Sequence, residues 1–173
     1  MKTDEKVQEI ARLRSSGVDD WELSLAWQAA HEKMLEDIEA HREKDHAYMP
    51  VSISSIPLVR MSRQLSGRET LDRMGFYENS IGMCGDWCKS GPVYEIPFGA
   101  LCSGTVDNLL TAGRTISVSD EIWNATRVIP PCAVTGEAAG TAASMTKDFS
   151  TIDIKALQNR LRAGGVRIHE NEL

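Results

Sequence analysis

An α+β or α/β chain, with helices at both ends and a small mixed sheet between them, is predicted by three observations. Residues 21–38 place Leu23, Trp27, Ala30, Met34 and Ile38 three or four apart, with polar residues between. Residues 151–165 hold a second amphipathic stretch. Between these lie β-branched or alternating runs at 51–60, 93–98 and 107–113.

Taken in order, residues 4–15 carry Val7, Ile10, Ala11 and Leu13 at helical intervals, so a first helix is expected there. Gly17 ends it, and Asp19 or Asp20 caps the next, which fades before Pro50. "VSISSIPLVR", 51–60, predicts a strand near an edge or bulge because of Pro57. "SGRETLDRMG" predicts a turn into a short helix, with Ser66 or Thr70 as cap. Residues 74–92 are glycine-rich and irregular, and strands are expected at 93–98 and 107–113. In 151–165, Asp153 is the expected N-cap, Ile154, Leu157 and Leu161 the apolar stripe, and Gly164-Gly165 the stop.

The totals exclude several classes. A chain of 173 residues can bury a core, and its 42% hydrophobic and 25% charged content is ordinary for a globular protein. Its net charge of −6 argues against a nucleic-acid footprint. No window of ~18 apolar residues predicts a membrane span. The start, "MKTDEKVQEIARLRSSG", is charged and lacks the apolar core of a signal peptide, so Cys84, Cys88, Cys102 and Cys132 are expected as thiols in a reducing cytoplasm.

The most informative stretch is 108–144. Pro130-Pro131 stand where a helix tolerates proline, in its first turn. The helix that follows, "CAVTGEAAGTAAS", is nearly without bulk. Each interior glycine costs ~1 kcal/mol relative to alanine, so Gly136 and Gly140, four apart, predict the close approach of a backbone or a flat ligand. The helix start favours an anion or a developing negative charge, with Arg127 just before it and Arg114 after the preceding run. Simple helix-on-sheet packing through small residues explains the composition equally well.

Together "YEIPFGAL", "VDNLLTAGRTISVSDEIWNATRVIPPCAVTGEAAGTAAS" and "IDIKALQNRLRAGG", with "RQLSGRETLDR" and "GDWCKSGPVYEIP" upstream, carry a resemblance. They resemble the C-terminal part of FAD-dependent oxidoreductases of the glutathione-reductase-like superfamily, in its bacterial branch. The resemblance covers roughly 51–168 and is most specific over 107–143. It implies a partial FAD/NAD(P)-binding-type fold and FAD as cofactor. Residues 1–50 would form a helical segment, 51–106 a substrate-domain-like β segment, and 107–173 the C-terminal part of the FAD-binding domain. Gly113 would allow close backbone approach, with Arg114 near the cofactor. Arg127, Val128, Ile129, Pro130 and Pro131 would wall the isoalloxazine, with Cys132 beside it. Ala133, Val134 and Thr135 would present helix N–H groups to the ring, and Gly136 and Gly140 would permit close packing. Reduced flavin tends to carry negative charge at N1/C2=O, and a helix terminus aimed there would stabilise that form.

The G-x-G-x-x-G fingerprint that holds the ADP half of FAD occurs nowhere in the chain. The expectation is a C-terminal portion of a larger enzyme acting on a small molecule. Alone it would bind FAD weakly or not at all, and it would need the missing N-terminal half or a second copy, with homo-oligomerisation a consequence. The competing reading is a truncated remnant or oligomerising scaffold that binds no flavin.

A third reading, a cysteine-based redox or metal protein, rests on Cys84 and Cys88 spaced C-x₃-C and on Cys132 at the helix start. Structural thiols are the simpler account, and no metal site is expected. Among polar residues, Arg68 could hold a substrate carboxylate bidentately and Asp86 could orient it or take a proton; a surface salt bridge explains either equally well. His31, His41, His46 and His169 form no ligand pattern and are expected to be solvated.

Overall fold

A computed structural model describes residues 17–55, 61–87 and 89–172. The chain divides into two compact units, Met1–Arg63 and Gln64–Leu173. The mixed α+β class is as expected. The helix expected over 4–15 lies outside the described residues.

In the first unit, helix α1 spans Asp20–Lys44. Asp19 is its N-cap and accepts from the Glu22 N–H at 2.7 Å. Acidic Asp20 and Glu22 stand in its first turn and His41, Arg42 and Lys44 in its last, which suits the helix dipole at both ends. Residues 51–55 form no strand and are exposed, contrary to expectation, and 56–60 lie outside the described residues.

The second unit is built on a hairpin. Strand β1 (Ser80–Gly85) pairs antiparallel with β2 (Val93–Pro97), through Met83 with Glu95, Cys84 with Tyr94 and Gly85 with Val93. The sheet is therefore two-stranded and antiparallel rather than mixed. Its pairing slips between Ser80 and Met83, where Gly82 adopts φ +149°. A Cβ on Gly82 would stand 2.5 Å from Val134 Cγ1, so helix and strand approach too closely there for any side chain.

After the hairpin the chain runs through a 3₁₀ turn, Phe98–Ala100, and a second, Gly113–Thr115. Three helices follow: α2 (Asp120–Thr126), α3 (Ile129–Met145) and α4 (Ile154–Ala163). Helix α3 packs on β1, α4 and the second 3₁₀ turn. Leu71, Ile81, Tyr94, Ile96, Leu101, Ile116, Leu157, Leu161 and Ile168 form the heart of one apolar core. Gln158 ties α4 to the hairpin by donating to the Glu78 and Ser80 carbonyls, both at 2.9 Å. The tail returns over the same strand, where Ser80 Oγ donates to the Ile168 carbonyl at 3.0 Å.

Three expectations fail here for one reason: tertiary pairing overrides the local pattern. Residues 107–113 are not a strand, because Leu110 bridges Cys102 once before the chain turns at Gly113. Residues 66–75 are not helical, because their N–H groups go elsewhere: Arg68 to the Cys102 carbonyl, Glu69 to Gly99 and Leu71 to Ser117. The glycine-rich 74–92 stretch hides β1, whose Gly82 and Gly85 suppress the strand signal. Helix α4 begins after Asp153, which accepts from the Ala156 N–H at 3.0 Å, and ends at Gly164, as read from the sequence.

Candidate functional site

The two prolines set the start of α3. Helical backbone begins at Ile129, with Val128 as an extended N-cap that offers no side-chain hydrogen bond. Four N–H groups at a helix start lack an intrahelical acceptor. Here those positions are 128–131, and two of them are prolines, which have no N–H. The free donors are therefore those of Val128 and Ile129. The N–H groups of Ala133, Val134 and Thr135 fall one turn further in and are committed to the helix's own ladder.

Thr135 locks this start to the turn before α2. Its buried hydroxyl donates to the Pro131 carbonyl at 2.6 Å and accepts from the Gly113 N–H at 2.8 Å. Gly113 has φ +76°, and a Cβ there would meet Cys132 Sγ at 3.5 Å. The contact with α3 would be an ordinary one, so it is the backbone conformation that calls for glycine. The Arg114 carbonyl accepts from Trp123 Nε1 at 3.2 Å, so the 3₁₀ turn is pinned from α2 as well. The Arg114 side chain is exposed and hydrogen-bonds no described residue.

Arg127 closes α2 and stands next to the N-cap of α3. Its Nη2 donates to Asn124 Oδ1 at 2.6 Å. Its Nε is buried and has no hydrogen-bond partner among the described residues. A buried donor without an acceptor costs roughly 1–3 kcal/mol, and this one lies on a residue adjoining two free helix N–H groups.

The outer face of α3 is bare. Ile129 is 82% exposed, and Ala133, Gly136, Gly140 and Ala143 follow it along one helical stripe, all exposed. A Cβ on Gly136 or Gly140 would meet nothing within 4 Å. The glycines that the sequence suggests for close packing thus have no described neighbour. The glycine that does let α3 approach its sheet is Gly82, on the strand.

Arg68 and Asp86 sit in different local structures, and the turn that holds Asp86 reaches α2, where Trp87 Nε1 donates to the Asn124 carbonyl at 3.1 Å. Arg68 donates through Nε to the Ser103 carbonyl at 3.2 Å and through Nη2 to Asp107 at 3.1 Å. Asp86 opens the turn between β1 and β2, its N–H donating to the Pro92 carbonyl at 2.9 Å. Of the thiols, Cys84 and Cys102 are buried, and burial pushes Cys84 up to about 12 and Cys102 to about 11, the latter partly offset by Arg68. Cys132 is half-buried on the first turn of α3, and Cys88 lies outside the described residues. Among the described residues, no three His, Cys, Asp or Glu side chains converge as a metal site.

Two histidines are not solvated as expected. His31 is half-buried, with Nδ1 at 3.1 Å from the Trp27 carbonyl one turn back. His169 is held at 3.0 Å by the buried carboxylate of Glu95. The sequence signal for this pair was Glu95 itself, a charged residue inside the apolar run "VYEIPF".

Among the described residues, no helix is long and apolar enough to cross a membrane. No curated protein and no solved structure matches the chain. Residues 77–161 match the family model described as FAD dependent oxidoreductase. The match runs from just before β1 into α4, includes the Gly113 turn, Arg127 and the whole of α3, and makes this stretch a flavin-dependent-oxidoreductase-like region.

Proposed function

We propose that residues 64–172 supply the isoalloxazine side of the FAD pocket in an oxidoreductase acting on a small molecule, of the bacterial glutathione-reductase-like kind. The observation that carries the reading lies within the family-matched stretch. A buried Arg127 Nε without an acceptor adjoins the free N–H groups of Val128 and Ile129. These donors suit an electron-rich ring edge bearing nitrogen and oxygen acceptors. FAD, when bound, supplies the electron and hydride transfer. The protein's own part is electrostatic: Arg127 and the start of α3 favour negative charge at the ring, and Thr135 with Gly113 keeps that start rigid. Pro130, Pro131 and Cys132 form the wall behind the donors, and Arg114 reaches outward beside them.

The bare stripe of α3 supports a further part of the reading. In this account an N-terminal half carrying the phosphate-binding fingerprint, or a second copy of the chain, covers Ala133, Gly136, Gly140 and Ala143, and the assembly works in the cytoplasm as a homo-oligomer. Within this stretch, residues 64–106 take the substrate side and 107–172 the cofactor side. Arg68 would keep Ser103 and exchange the exposed Asp107 for a substrate carboxylate, with Asp86 orienting the substrate.

Equilibrium dialysis against FAD tests the division of labour. The chain alone is expected to bind more weakly than micromolar and to emerge colourless from gel filtration. Sub-micromolar binding would contradict the need for a covering half. Failure to bind even when the fingerprint-bearing half is supplied would favour a flavin-free scaffold.

A further inference from the structure

A second site lies where the C-terminal tail crosses β2. Glu95 is 3% exposed, yet it is charged and sits in the middle of a strand. Its Oε2 accepts twice, from the Tyr77 N–H at 2.8 Å and from His169 Nδ1 at 3.0 Å. Its Oε1 hydrogen-bonds no described residue, and Glu95 lines a cavity of about 460 Å³. That volume falls in the range of small-molecule pockets.

The other walls give the pocket its character. Phe76 is 63% exposed and stacks on the His169 ring, with centroids 5.0 Å apart. Val93 adds apolar surface, and Glu170 and Asn171 add oxygen acceptors. Among the described residues, no lysine or arginine lines this cavity. The carboxylate keeps Oε1 free of the described residues, so a cationic donor that enters the cavity can bond it. An aromatic face beside it suits a cation or the carbon attached to one. Anions meet two carboxylates, and His169 is already engaged by Glu95.

We propose that this pocket binds a small organic ammonium, whose charged nitrogen bonds Glu95 Oε1 and whose carbon skeleton lies on Phe76. The site shares no residue with the flavin-facing region, so either can fail without the other.

The test is a ¹⁵N–¹H NMR titration of the full chain with 2-phenylethylammonium, and in parallel with 3-phenylpropionate as the anionic counterpart. The ammonium is expected to shift the amides of Gly75, Phe76, Glu95, His169 and Asn171 saturably, and the propionate is not. Glu95→Gln should weaken the ammonium about tenfold or more, as loss of a charge-assisted hydrogen bond does. Phe76→Ala, at a side chain that the core does not enclose, should weaken it several-fold and serves if the Glu95 variant does not fold. Equal response to both compounds, no response to the ammonium, or unchanged affinity in both variants would overturn the proposal.

Discussion

Cys84 and Cys102 are held as neutral thiols by their surroundings, not by a chemical role. Burial disfavours the thiolate, so both side chains stay protonated until far above neutral pH, near 12 and 11 respectively. The thiolate is the nucleophile. Alkylation of the native chain at pH 8 is therefore expected to leave both unmodified, with modification appearing only as pH climbs through the alkaline range or after denaturation. Peptide mass spectrometry reads this directly, and rapid native labelling of either would contradict it. At this scale the sequence is legible where a residue's role is local. The turn at Gly113 was readable from its place between a run and a loop, and the start of α3 from Pro130-Pro131. The Glu95–His169 pair was not: Glu95 is marked by its charge inside an apolar run, but its partner stands 74 residues away with no local pattern. The unpartnered Nε of Arg127 was likewise invisible, because it depends on what α2 and α3 leave around it.

Among the elements, helix α3 has two unlike faces. Its inner face, Pro131, Thr135, Ala138 and Ala142, is buried, and its outer face is bare. With nothing near Gly136 or Gly140, replacing both with alanine is expected to stabilise the isolated chain, by up to about 1 kcal/mol each from helix propensity alone. The same double variant should lose association with a fingerprint-bearing half, because added methyls would stand where close approach is needed. Urea denaturation and a pull-down by that half read the two effects separately. A stabilised variant that still associates would remove the functional meaning of the stripe. Helices α3 and α4 and strand β2 were legible because their signals are local: prolines at a helix start, Asp153 as cap, and "VYEIP" as a β-rich run. Strand β1 was not, since Gly82 answers to Val134 across the interface and not to strand propensity. Helix α2 leaves little trace in the sequence, because seven residues are too few to build an apolar stripe.

At the scale of the molecule, the second unit carries a core, a pinned helix start and an open face, and the family match falls wholly inside it. The function proposed for this unit requires Arg127, Val128, Ile129 and Gly113 to face a flavin ring. Weak binding need not hide this, because chemical shifts report contact even when little complex survives separation. The direct measurement is a ¹⁵N–¹H NMR titration of the full chain with excess FAD, following the amides of Gly113, Val128 and Ile129 and the Nε–H of Arg127. The account predicts that these four signals move together along one saturation curve, and that Arg127→Ala weakens the curve about tenfold, as loss of a charged donor does. Signals that stay fixed while FAD is in excess, or that move only elsewhere in the chain, would contradict it.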